Sequence, residues 1–524
     1  MNTVNPATLL RSLIVYAFIV PIAILMGYLL ANQMDYQSLG FMTVLGSLMV
    51  FPLLMKWHYP LLIFSWNLPA TLFFLPGHPT FFTFMVVVSL GISVLERILD
   101  RNQSFVPAAS VRWPLIAFVA VIIITAKLTG GFGLRSMGSN VYGGKKYVYL
   151  IIGILSFFAI TARPIPKNKV NFYITLFFAG GFFNFVQDIY PFVPTPLQFI
   201  FLVFPPAENV MDTAGNAAVV LGKTRLGGVA AAACMVFTWM LARHGFKENF
   251  LTGKLWRPLL MGLMLAAIFL GGFRNNVIGV ALIVGLLFFL EKMYRTGAML
   301  AVLLATLLGG ALLIPLAPHL PFTYQRALAF LPLDLDPEAR LDADASTQWR
   351  LDMWDALLPE VPKYLLLGKG YAFSQQTFND YMGNAATFKR VLDAGEDPLA
   401  LSSDFHSGPL SVVLSFGIWG VVVWLWYWAA GFYVIWRNYH YGDPDLRHVN
   451  LFLFAWFICM CFSFMFIFGG VVEDVGHFAG VIGLSLVINR GVRHPRSFSQ
   501  PAPAKLPAPA EGRLEFPEQP VYPA

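Results

Sequence analysis

The sequence predicts an all-α polytopic membrane protein, and three observations carry that prediction. Hydrophobic residues make up 57% of the 524 positions and charged residues only 12%, with a mean hydropathy of +0.66; soluble domains carry roughly a quarter charged residues. Apolar runs close to the ~20 residues that a bilayer core demands recur from end to end. Lys and Arg collect in short clusters between those runs, where they orient helices. The net charge of +7 is therefore a topology signal, and no nucleic-acid partner is implied.

Runs long enough to span fall near 13–31, 39–55, 59–75, 80–97, 113–129, 146–162, 170–187, 225–243, 256–271, 274–291, 297–317, 408–436, 448–469 and 474–489, which predicts about 14 transmembrane helices. Arg11 precedes the first run, which is longer than the apolar core of a secretion signal. With the N-terminus in the cytoplasm, the loops that alternation places inside carry the basic residues: Lys56; Arg97, Arg101 and Arg112; Arg163, Lys167 and Lys169; Arg243, Lys247, Lys254 and Arg257; Lys292 and Arg295; Arg437 and Arg447. Arg490, Arg493 and Arg496 follow the last run, so both termini of this inner-membrane protein are expected in the cytoplasm. The stretch from Arg135 to Lys146 is an outer exception. Cys234, Cys459 and Cys461 all lie inside apolar runs and read as packing residues.

The chain divides into N-terminal spans (1–206), core spans (207–317), one large outer loop (318–407), C-terminal spans (408–489) and a Pro-rich tail (490–524) too poor in core-forming residues to pack. Three outer segments stand out. From Asp188 to Thr224, the apolar piece Leu197–Phe204 lies between prolines and is too short to cross. Gly271-Gly272-Phe273-Arg274-Asn275-Asn276 is a tight connection. The long loop contains an amphipathic helix, Ser346–Leu358, with Trp349, Met353 and Leu357 on one stripe and Arg350 and Trp354 on the next. Ser346 or Thr347 could cap it. Asp336–Asp344 is acidic and reads as solvated, and Gly368-Lys369-Gly370 makes a sharp turn.

Four groups from distant parts of the chain map to the outer face. Arg225 opens a span, Arg274 sits in a turn at membrane depth, Arg350 is on the loop helix, and His406 ends the loop. Guanidinium forks give bidentate, charge-assisted bonds to a diphosphate, and an ionisable group near the hydrocarbon is a functional candidate by default. Cations at a departing diphosphate stabilise charge that grows in the transition state, and an imidazole can take a proton or accept a hydrogen bond from an incoming hydroxyl. Each residue has a second reading. Arg225 could anchor a helix end in the headgroups, Arg350 could be an exposed loop charge, and His406 could be a polar boundary residue. Asp404 could cap a helix or orient the imidazole. Lys223 and Lys369 are weaker phosphate-binding candidates. No phosphate loop, HExxH or paired-Cys signature occurs, so neither a nucleotide nor a metal cofactor is expected.

Phe405-His406-Ser407-Gly408-Pro409-Leu410 followed by Gly417-Ile418-Trp419-Gly420 resembles the His element and Gly-rich helix of the O-antigen ligase and O-antigen polymerase family. Arg350 through Trp354 with Gly368-Lys369-Gly370, Phe273-Arg274-Asn275-Asn276, and Thr224-Arg225-Leu226-Gly227-Gly228 resemble its other elements in the same order, over about residues 210–436. The resemblance implies a metal-independent, inverting glycosyltransferase of C-type architecture. Such an enzyme takes a glycan from an undecaprenyl-diphosphate carrier at the periplasmic face and passes it to lipid A-core or to a second lipid-linked glycan. It also implies that Arg225, Arg274 and Arg350 grip the diphosphate and that Arg274 and His406 serve the reaction. The rival reading is a transporter or flippase of lipid-linked oligosaccharide, which needs no large outer loop and usually shows internal repeats.

Overall fold

A computed structural model of the chain describes residues 54–75, 77–100, 105–133, 141–207, 224–374 and 405–495, together with Val20, Ile24 and Pro52. Among the described residues, eight helices are long and apolar enough to cross a membrane. They coincide with the runs expected near 80–97, 113–129, 170–187, 225–243, 297–317, 408–436, 448–469 and 474–489. The chief helices are α1 (Phe81–Leu99), α2 (Ala109–Leu128), α3 (Gly144–Ile160), α4 (Val170–Phe182), α5 (Gly227–Lys247), α6 (Trp256–Phe269), α7 (Arg274–Leu290), α8 (Ala298–Leu316), α9 (Phe322–Leu328), α10 (Pro337–Leu357), α11 (Gly408–Tyr441), α12 (Arg447–Phe462) and α13 (Val471–Asn489). The runs at 13–31 and 39–55, and the tail beyond 495, lie outside the described residues.

Three expected spans differ in shape. The run near 59–75 is helical over 54–65 and then turns, with Thr71 bridged to Thr80; Pro69 and Pro79 cannot supply helical donors there. The runs at 256–271 and 274–291 form helices of 14 and 17 residues, because Gly271 and Gly272 end one and begin the approach to the other. The apolar piece Leu197–Phe204 contains a four-residue helix, tied to the 66–80 turn by the Thr71 N–H donating to the Val203 carbonyl at 2.7 Å.

α13 is the central post, with nearly every side chain buried. Its glycines let neighbours approach closely, as membrane helices require in the absence of a hydrophobic drive between them. A Cβ on Gly153 of α3 would fall 2.5 Å from Val475, and one on Gly483 would fall 2.2 Å from Ile160. Beside it, Asn438 donates to Ser485 Oγ at 3.0 Å, and Asn489 and Asn450 exchange amide bonds of 2.7 and 3.1 Å. This buried polar ladder ties α11, α12 and α13 at one end of the bundle. The same end carries the basic residues Arg163, Lys167, Arg437 and Arg493, with Arg163 paired to Glu96 and Lys167 to Asp443.

The other end holds the start of α5, the α6–α7 turn, the start of α11, the α12–α13 connection and the 318–374 segment. Two corrections to the loop reading arise here. The loop helix begins at Pro337, nine residues before Ser346, with the Asp336 carboxylate accepting from the Glu338 N–H at 2.8 Å. Asp at N-cap followed by Pro at N1 is a stronger start than a hydroxyl in mid-helix, so Ser346 and Thr347 cap nothing. The acidic stretch is also not simply solvated, since Asp342 pairs with the buried Arg326.

α11 is broken at Gly417 (φ 62°, ψ −158°). The backbone groups freed by the break bond to the Gly-rich turn: Ile418 N–H to Leu365 O at 2.7 Å, Lys369 N–H to Leu414 O at 2.7 Å, and Gly370 N–H to Ser415 O at 3.0 Å. Gly368 (φ 77°) lies so close that a Cβ would fall 2.3 Å from the Ser415 carbonyl. A two-stranded ribbon, Val141–Tyr142 antiparallel to Phe373–Ser374, fastens the same segment to the start of α3.

Candidate functional site

The Gly271–Arg274 turn organises the site. Gly272 takes φ 64°, which turns the backbone so that two carbonyls face two guanidinium groups. Gly271 O accepts from Arg225 Nε at 3.3 Å, and Gly272 O accepts from Arg326 Nη1 at 2.5 Å. The Phe273 ring then lies under the Arg225 guanidinium, 4.2 Å from its centroid, a cation–π contact. Arg274 begins α7, where the helix dipole disfavours a cation. That cost is offset by bonds of 2.8 Å from Arg274 Nη2 to Ala343 O and to Thr347 Oγ1 on α10.

α10 supplies the opposite wall. Its apolar stripe docks as the spacing predicts, with Met353 and Leu357 buried against Phe405 and Leu414. The neighbouring stripe then points Arg350 and Trp354 into a cavity of about 320 Å³. Arg225, Arg274, Arg350 and Arg326 all line it, with Phe466 and Ile467 from the α12–α13 connection closing one side. Three sequence candidates from separate segments therefore share one pocket.

Arg326 is the residue that sequence reading missed. It is only 5% exposed, and its one acidic partner, Asp342, is half-exposed. The signal available was a Gln-Arg pair between two prolines ahead of an acidic stretch. A seven-residue helix, α9, is too short for its periodicity to be read. Three further arginines surround this pair, and Asp344 together with Asp342 acts on Arg274. Burial, then the Arg326 charge, lowers the Arg225 pKa to about 10, with Asp342 opposing and Arg350 adding to the fall. Burial, then Arg274 and Arg326, lowers that of Arg350. Arg350 Nε is buried without a hydrogen-bond partner among the described residues. An anion with several oxygens would relieve both the crowding and the unmet donor.

His406 stands beside this pocket rather than in its lining. Its ring meets Trp349 edge-on at 5.3 Å and Phe468 at 4.9 Å, while the preceding Phe405 carbonyl accepts from Trp354 Nε1 at 3.1 Å. Trp354 thus links the pocket wall to the His406 backbone. His406 has φ 47°, a conformation uncommon outside glycine and held by the packing around it. Lys369 is not brought in: its ammonium lies 6.0 Å over the Tyr364 ring and does not line the cavity. Lys223 and Asp404 lie outside the described residues. Among those described, no group of three His, Cys, Asp or Glu residues is placed to hold a metal ion.

No curated protein matches the chain. Residues 259–425 match the family model described as O-antigen ligase, a stretch that contains Arg274, Arg326, Arg350 and His406 but not Arg225. With the run of apolar helices on either side, the match marks a multi-pass membrane protein that is similar over residues 259–425 to the O-antigen ligase family.

Proposed function

We propose that the protein transfers a glycan from an undecaprenyl-diphosphate carrier to an acceptor hydroxyl at the periplasmic face, as an O-antigen ligase or a polysaccharide polymerase. The observation that supports this reading is the convergence of Arg225, Arg274, Arg326 and Arg350 on one cavity. The acceptor oxygen attacks the anomeric carbon from the face opposite the diphosphate. The C–O bond to the diphosphate breaks, and its electron pair leaves on the diphosphate oxygen. The configuration at the anomeric carbon inverts, and the acceptor proton passes to the His406 imidazole. The guanidinium groups stabilise the charge that grows on the leaving group. They are already fixed by Gly271 O, Gly272 O, Ala343 O and Thr347, so little reorganisation is needed during the step. No metal is assigned a role. The acceptor is either lipid A-core or a second lipid-linked glycan.

The test is transfer by the purified protein from a lipid-linked glycan, read as new glycosidic linkages. Arg274→Ala and His406→Ala should each remove transfer while the protein still inserts and folds. Retention of full transfer in both variants, or movement of the lipid across the bilayer without a new linkage, defeats the assignment and favours a transporter.

A further inference from the structure

The end of the bundle opposite the arginine pocket holds a second cavity lined by cations. It measures about 560 Å³ and lies between the helix at 54–65, the connection from α3 to α4 and the first turn of α4. Lys56, Arg163 and Lys169 line it beside the rings of Trp57, Tyr59 and Tyr173, and no acidic side chain among the described residues does so.

The connection that carries Arg163 is fixed in place. The Tyr59 hydroxyl donates to Ile160 O at 2.7 Å and lies 3.0 Å from Arg163 O, and the Ile165 N–H donates to Val487 O of α13 at 3.0 Å. Arg163 is paired to Glu96 through Nη2, while its Nε is buried with no hydrogen-bond partner among the described residues. Lys169 is the N-cap of the 13-residue α4, where the helix dipole disfavours a cation. An anion in the cavity would face the positive end of α4 and three cations, one of them with a donor unmet.

Exposure on both walls is greatest at the helix starts. Trp57 and Phe172 are exposed, whereas Leu61 and Phe64 on the same face of one wall and Leu176 on that of the other, a turn or two further in, are half-buried. The cavity therefore sits at the level where aromatic rings and the heads of long basic side chains meet lipid headgroups. We propose that it binds the phosphate of an anionic phospholipid from the leaflet at this end, with Lys56, Arg163 and Lys169 on the phosphate oxygens and Trp57 and Phe172 against the glycerol and the first acyl carbons. The cations select an anionic headgroup over a zwitterionic one, and the aromatic wall at the start of two spans favours a lipid over a free phosphate. The site is independent of the glycan-transfer reaction at the other end.

The experiment titrates the full-length protein in detergent with phosphatidylglycerol or phosphatidylcholine and counts bound lipid by native mass spectrometry. The double variant Lys56→Gln, Lys169→Gln should weaken phosphatidylglycerol binding on the order of tenfold and leave phosphatidylcholine binding unchanged. Lys247→Gln with Lys254→Gln makes the same charge change elsewhere at that end of the bundle and should leave both unchanged. Absence of bound phosphatidylglycerol in the unaltered protein, an equal loss in the two double variants, an equal loss for both lipids, or displacement of the lipid by inorganic phosphate at the same concentration overturns the proposal. If the first double variant fails to fold, phosphatidylglycerol brominated in its acyl chains decides. It should quench tryptophan fluorescence of the unaltered protein more than that of Trp57→Phe, and equal quenching of the two overturns the proposal.

Discussion

Arg326 and Arg225 show how much of the site lies in single contacts. Arg326 spans Gly272 O and Asp342, so it fixes the turn that positions Arg225 and Arg274. Replacement by Ala would leave a buried carbonyl unpaired, at about 1–3 kcal/mol. Arg326→Lys keeps the charge but loses the fork. It is expected to retain expression and to weaken diphosphate binding, measured by calorimetric titration. Arg225 supplies a pH test. Its lowered pKa of about 10 means that it is charged and ready for an anion at neutral pH. Diphosphate affinity should be full below that value and fall as pH rises through it. In Arg225→Ala the fall should be absent from a lower starting affinity, and a persisting step at the same pH would assign the titration elsewhere.

At the scale of elements, α10 and the break in α11 do the positioning. Asp336→Ala removes the cap that starts α10 and should cost about 1 kcal/mol, seen as a lower thermal midpoint with a modest rise in donor KM as Arg350 loosens. Gly417→Ala tests the break directly. At φ 62°, with Leu365 O 2.7 Å from any Cβ, the substitution should cost roughly 1–3 kcal/mol or more. It should also release the Gly368–Gly370 turn, detectable as faster amide exchange at Lys369 and Gly370. The docking of α10 itself was legible, because Trp349, Met353 and Leu357 repeat at helical spacing. Its true start was not, because Asp336-Pro337 sits in a stretch whose charge resembles a solvated loop.

The whole molecule has a polarity that its two ends express differently. Basic residues at the far end are spread over loops, with Arg163 paired to Glu96 and Lys167 to Asp443, as an anchoring role requires. The arginines at the site end are gathered into one cavity. The site-end charge should therefore act on a ligand. Raising the ionic strength is expected to raise donor KM more than it lowers kcat, since the screening length falls to ~3 Å at 1 M. Chelation of divalent ions should leave the rate unchanged. A loss that magnesium restores would show that the arginines do not carry the leaving group alone.

Composition, the spacing of apolar runs and the distribution of Lys and Arg determined that this chain is a helical membrane protein, because a bilayer leaves a backbone so few ways to satisfy its polar groups. The order of motifs around Arg225, Arg274, Arg350 and His406 likewise announced the family that residues 259–425 match. Only the tertiary structure decided that Arg326 joins them, that His406 stands beside the pocket and not in it, and that Lys369 faces Tyr364 instead. These outcomes depend on two glycine carbonyls, one aspartate and the kink at Gly417, contacts between residues tens of positions apart. Local spacing constrains which face of a helix a side chain shares. It says nothing about which distant backbone oxygen will claim it.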